Sequence, residues 1–126
     1  KNLNIRKKLV QKYYQLFKNR DFKFVDIPLN IKSAHHLLPV FYNFKNFKEK
    51  ENFLNYLRKR KIFLQVHYIP IYRHPYYQKL GFKITNFPNT EIYYKNIFSI
   101  PVFLKLNKMK QIFIVNQIMS FFKKNK

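Results

Sequence analysis

The spacing of apolar positions changes several times along this chain, and each change marks an element. Between residues 4 and 18, Val10, Tyr13, Tyr14 and Phe17 recur at i, i+3, i+4 and i+7. Lys7, Lys8, Lys12 and Lys18 fall mainly off that stripe, so the segment predicts an amphipathic helix. Pro28 and Asn30 mark a loop. The short apolar run from His36 to Tyr42 predicts a strand, and Pro39 within it predicts an edge position or a bulge. A second helix is predicted over 46–60, with Phe47, Phe53, Leu54 and Leu57 on its buried face. Glu49 and Glu51 fall in its first turns, where the helix dipole favours negative charge.

From Ile62 to His67 the period drops to two. Ile62, Leu64 and Val66 alternate with Phe63, Gln65 and His67, which predicts a second strand. Pro70 and Pro75 then break the chain into a loop and a short helical turn over 76–80, stopped by Gly81. A further short helix is expected from Asn89 to Asn96, and a short strand over Phe98–Ile100 ends at Pro101. The last helix is predicted over 108–122, with Ile112, Val115, Met119 and Phe122 inward. No repeat and no linker divides the chain. It reads as one domain over 1–126, of the α/β class and α+β type, with helices packed on a small, mainly antiparallel sheet.

Composition sharpens this picture. Apolar residues make up 47% of the chain and aromatic residues 20%, so a packed core is expected and the aromatics are read as core. No run approaches the ~18 apolar residues that a membrane span needs. There is no cysteine, which excludes disulfides and thiolate chemistry and is compatible with the cytoplasm. The first residue is Lys1 and the opening segment lacks a signal-peptide pattern, so an upstream portion is expected. The net charge of +21 raises the possibility of a nucleic-acid partner. Against that, the basic residues are scattered, and only Arg58–Lys61 and Lys123–Lys126 form runs.

Candidate chemistry is sparse. The acidic residues are Asp21, Asp26, Glu49, Glu51 and Glu91; Glu49 and Glu51 lie two apart on a helix and do not face each other, which argues against a paired-carboxylate hydrolase. His35, His36, His67 and His74 match no metal-site spacing, and one glycine cannot build a phosphate loop or a nucleophile elbow. One segment stands out. Gln65-Val66-His67-Tyr68 ends a strand and enters the proline-stiffened turn Ile69-Pro70-Ile71-Tyr72, a place where polar and aromatic side chains can meet a ligand.

At this segment the chain resembles the carboxy-terminal domain of the DegT/DnrJ/EryC1/StrS pyridoxal-phosphate sugar aminotransferases. The matching motifs keep their order. They run from Ile5–Phe17 through Ser33–Val40, Leu57–Ile62 and Gln65–Tyr72 to Tyr76-Tyr77, Pro88-Asn89-Thr90-Glu91 and Ser99-Ile100-Pro101. Lys61 departs from the pattern, because the family usually has glycine before that strand. The Gln65–Tyr72 loop is most similar to the pseudaminic acid branch, which aminates a UDP-linked 4-keto-6-deoxy-N-acetyl sugar with glutamate. The resemblance implies a small domain of a homodimeric fold-type I enzyme whose large domain lies upstream and holds pyridoxal 5'-phosphate. It implies that Gln65, Val66, His67 and Tyr68 line the sugar-nucleotide side of the site. The resemblance places the cofactor lysine, the carboxylate for the pyridine nitrogen and the phosphate-cradling residues in that large domain, with no catalytic, cofactor-binding or metal-ligating residue in this chain, so the isolated domain is expected to be inactive.

Overall fold

A computed structural model describes residues 2–18, 20–28 and 30–124. Of the terminal basic run, Asn125 and Lys126 lie outside the described residues, as does Lys1. Helix α1 (Asn2–Phe17) buries Leu9, Val10, Tyr13 and Phe17, the face its spacing predicts. Tyr14 departs from that stripe: it stays partly exposed and sets its ring edge-on to Phe24 at 4.7 Å. Then come β1 (Lys23–Phe24), β2 (Leu38–Phe41), α2 (Phe47–Arg58), α3 (Pro75–Lys79), α4 (Pro88–Asn96), β3 (Ile97–Ile100) and α5 (Lys108–Lys124). Two 3-10 turns, Ile71–Arg73 and Ile84–Asn86, lie between α2 and α4. The two-residue β1 is too short to leave a period in the sequence, and it was not expected.

The sheet is three-stranded, ordered β1-β2-β3, with both pairings antiparallel. This bears out the α+β reading. Pro39 lies in the middle strand, yet it costs no ladder bond. Its cross-strand partner Ser99 directs both backbone hydrogen bonds to Gln65 on the far side of β3. Pro39 therefore occupies a non-hydrogen-bonded pair with β3, and its nitrogen points the other way. On that side β1 reaches only Val40 and Phe41, so position 39 is a local edge.

Helix α2 starts with a cap that the sequence reading passed over. The Asn46 side chain accepts from the Glu49 N–H at 2.9 Å, while the Glu49 carboxylate accepts from the Lys45 N–H at 2.6 Å. Glu51 forms only an exposed pair with Lys48. The buried face is Lys50, Phe53 and Leu57; Phe47 is exposed, against expectation. The helix ends in a left-handed turn at Lys61, φ 60°, whose N–H donates to the Arg58 carbonyl. Glycine adopts this conformation freely, whereas a residue with a Cβ is strained in it. Because Lys61 is exposed, Lys61→Gly should stabilise the fold by about 0.5–1 kcal/mol, net of the entropy glycine adds to the unfolded chain. Urea denaturation reads this directly, and a loss of stability would mean that Lys61 contributes contacts outweighing its strain.

The strand expected over 62–67 is not there as a strand. The segment is extended but makes a single bridge, Gln65 with Ser99. The reason lies in its partner strand. Stepping two residues either way along β3, the next hydrogen-bonded positions would fall at Pro101 and Ile97. Pro101 has no N–H, and the Ile97 N–H already donates to Tyr93 O at the end of α4. One rung is all the ladder permits.

The core gathers between the sheet and α1, α2 and α5. Phe44, Phe53, Phe98, Phe121 and Phe122 form its aromatic centre, as the core reading of the aromatics anticipated. Along α5 the expected face needs adjustment. Val115 and Phe122 are buried as predicted, but Gln111, Ile114, Ile118 and Phe121 complete the inward side, while Ile112 and Met119 lie half-buried at its margin. Gln111 is tolerated inside because its amide donates to the Leu9 carbonyl at 2.9 Å, tying α5 to α1.

Candidate substrate-facing loop

The segment singled out in the sequence is a loop held at both ends. At its entry, Gln65 exchanges two backbone hydrogen bonds with Ser99, of 3.1 and 2.8 Å. Beside this rung the His67 ring meets the Ser99 hydroxyl, Nε2 to Oγ 2.5 Å. At its exit, the 3-10 turn Ile71–Arg73 is clamped to α4. The Arg73 guanidinium donates to both carboxylate oxygens of Glu91, through Nε at 2.8 Å and through Nη2. The Tyr72 hydroxyl donates to Glu91 Oε1 at 2.8 Å, and its ring stacks on Phe87 at 4.3 Å. Such a forked, charge-assisted contact fixes geometry as well as energy.

Between these anchors the side chains face outward. Gln65, Val66, Tyr68, Ile69 and Ile71 are exposed, Tyr68 at 92% of its maximum, and His67 is intermediate. The structure brings His67 together with Ser99 and leaves Gln65, Val66 and Tyr68 side by side on the open loop without side-chain hydrogen bonds to one another among the described residues. His74 is exposed at the start of α3. Among the described residues, no three His, Asp or Glu side chains converge as a metal site would require.

Three polar groups around this loop were not assigned a role from the sequence. Ser99 stood within the Ser-Ile-Pro motif and Glu91 within the Pro-Asn-Thr-Glu motif, so a signal existed, but their partners lie 32 and 18 residues away. Lys50 gave none. It is buried on α2, and its ammonium donates to the Tyr94 carbonyl and lies 5.2 Å from the centre of the Tyr94 ring. Burial pulls its pKa down to about 8. His67 is likewise shifted downward, first by burial and then by the positive charge of Lys50, which favours a neutral ring. Arg73, by its hydrogen bonds, holds the Glu91 carboxyl below the ordinary carboxylate range, with Tyr72 adding to the effect.

A pyridoxal phosphate cradle needs a Schiff-base lysine with a carboxylate for the ring nitrogen. The buried Lys50 donates to a backbone carbonyl, and Glu91 is committed to Arg73 and Tyr72. These residues do not fit the cofactor on their own. No described helix is long and apolar enough to cross a membrane.

Comparison with known proteins matches this geometry to a group. A family model for the DegT/DnrJ/EryC1/StrS aminotransferase family matches residues 1–119. The UDP-4-amino-4,6-dideoxy-N-acetyl-beta-L-altrosamine transaminase of Campylobacter jejuni is 31% identical over 126 residues, covering 99% of this chain and 33% of that protein. The Helicobacter pylori transaminase of the same name is 36% identical over 96 residues, 75% of this chain and 25% of its own length. Among solved structures, Helicobacter pylori PseC, an aminotransferase of pseudaminic acid biosynthesis, superposes with a TM-score of 0.86 at 30% identity, over 98% of this chain and 33% of PseC. Spr1654 of Streptococcus pneumoniae, solved in its PLP form, shares the fold with a TM-score of 0.89 at 24% identity, over 98% of this chain and 32% of that one. The chain thus spans between a quarter and a third of the length of each of these relatives.

Proposed function

Because this chain belongs to the DegT/DnrJ/EryC1/StrS aminotransferase family, we propose that it is the carboxy-terminal small domain of an enzyme that aminates a nucleotide-linked 4-keto-6-deoxy sugar with glutamate, on the way to a pseudaminic-acid-type surface glycan. The parent enzyme works as a cytoplasmic homodimer. Pyridoxal 5'-phosphate supplies the amino-transfer chemistry when bound, and it is held outside this chain. Within the domain, Gln65, Val66, His67 and Tyr68 line the sugar-nucleotide side of the site. The Schiff-base lysine is not among its residues, so the domain alone is inactive.

The observation that carries this reading is the loop itself. It is pinned at Gln65 and at Arg73, and between them it exposes Val66 and Tyr68 beside a half-buried, hydrogen-bonded histidine. A rigid loop of this kind orients a substrate at little entropic cost. Its residues bind and orient; no bond-making step is assigned to them. The scattered charge of +21 is compatible with a phosphorylated substrate and identifies none.

The test is kinetic and uses the full-length protein. With UDP-4-keto-6-deoxy-N-acetyl sugar and glutamate, His67→Ala should raise the KM for the sugar nucleotide by about tenfold, the loss of one positioned hydrogen bond, with kcat changed much less. A full-length protein that is colourless and inactive with keto sugars would overturn the aminotransferase reading. An unchanged KM in the variant would remove His67 from the site.

A further inference from the structure

Ser99 is almost completely buried at 2% exposure, and its backbone spends both hydrogen-bonding groups on Gln65. Its hydroxyl carries a proton that needs an acceptor, since an unsatisfied buried hydroxyl is costly. Among the described residues, the side-chain partner at hydrogen-bond distance is His67 Nε2, 2.5 Å away. If His67 were the donor instead, the serine proton would need a second acceptor, and the described hydrogen bonds supply none. The arrangement that satisfies both groups with the described partners has the hydroxyl donating and Nε2 accepting. A neutral imidazole that accepts at Nε2 carries its proton on Nδ1.

We propose that Ser99 is the positioning residue for His67: its hydroxyl fixes the neutral, Nδ1-protonated form of the ring, so that Nδ1–H is the donor presented to the sugar nucleotide. This inference rests on the reading that His67 faces the substrate. The surroundings agree with it. Burial and the Lys50 charge both disfavour a protonated ring. The Gln65–Ser99 rung holds the two side chains on adjacent backbones, so their approach is built into the sheet rather than left to rotamer choice. Pro101, two residues on, closes the ladder and limits strand slippage past this register. Serine at 99 and histidine at 67 thus work as a unit across 32 residues of chain.

Ring nitrogen-15 shifts of His67, measured by NMR in the full-length holoenzyme, read the proposal directly. A protonated Nδ1 and a bare Nε2 are expected. In Ser99→Ala the two tautomers should mix, and the KM for UDP-4-keto-6-deoxy-N-acetyl sugar should rise by about tenfold with kcat within about twofold. Ser99→Thr, which keeps the hydroxyl, should restore both readouts. A proton on Nε2 in the unsubstituted enzyme would overturn the proposal, as would a Ser99→Ala enzyme matching the parent in ring shifts and KM. If Ser99→Ala fails to fold, the ring shifts of the parent decide alone. His67→Ala separates the two claims: an unchanged KM there defeats the substrate reading, while the parent's shifts still judge the serine–histidine bond.

Discussion

Removing the Glu91 carboxylate is expected to cost about 3 kcal/mol at neutral pH, because Arg73 would be left as a poorly solvated, unpaired cation. The side chains of Arg73 and Glu91 are only 27% and 16% exposed, so the pair sits nearer the buried than the surface limit of ion-pair energetics. Glu91 also accepts from Tyr72, so Glu91→Ala strips three donors at once. The damage should be local before it is global. Hydrogen exchange of the 66–74 backbone should accelerate more than that of β2 or β3. Acid supplies a second readout. The folded-state pKa of Glu91 is depressed by Arg73, so its contribution is fully present above the unfolded value of about 4.3 and is lost as pH falls through the folded value. The stability gap between the parent and Glu91→Gln should therefore narrow from pH 5 downward. A gap that stays constant from pH 7 to pH 2 would show that the ion pair is not what holds the turn.

Phe53→Ala should have the largest effect on the fold, about 3–5 kcal/mol, the usual cost of emptying a buried phenylalanine site. Phe53 is fully buried, and its ring lies 5.2–5.5 Å from those of Phe44, Phe98, Phe121 and Phe122. Those neighbours come from β3, α5 and the chain between β2 and α2, so no single element can move to fill the space. Met109→Ala, at a residue 72% exposed near the start of α5, should change stability by no more than about 0.5 kcal/mol. Urea denaturation of the two variants provides the comparison. A loss below about 1 kcal/mol for Phe53→Ala would mean that the aromatic centre repacks freely.

Local periodicity carried most of the architecture, and the places where it failed have physical causes. Helix α1 showed its face clearly, because lysines flank a clean apolar stripe. Helix α5 did not. Its middle is apolar on nearly every side, so spacing alone cannot choose a face, and packing against α1 and α2 makes the choice. The 62–67 segment alternates as a strand should, but pairing depends on the donors its partner has left, and β3 has one rung to give. The loop at 65–72 was legible as a candidate from its prolines and aromatics. What fixes it was not, since Ser99, Glu91 and Lys50 act through contacts distant in sequence. Nothing in the local pattern distinguishes the buried Lys50 from the many solvated lysines around it.

Pro39 has a consequence for the domain's solubility. The first half of β2 has no strand partner on the β1 side, which is where a strand from another molecule would have to align. At that position it would meet a carbonyl without the N–H that a continuous ladder requires. A strongly cationic chain repels its copies at a distance, but charge is screened by salt, whereas a missing donor is not. The proline is thus a salt-independent guard against edge-to-edge aggregation, placed in the stretch of the sheet where β1 stops short.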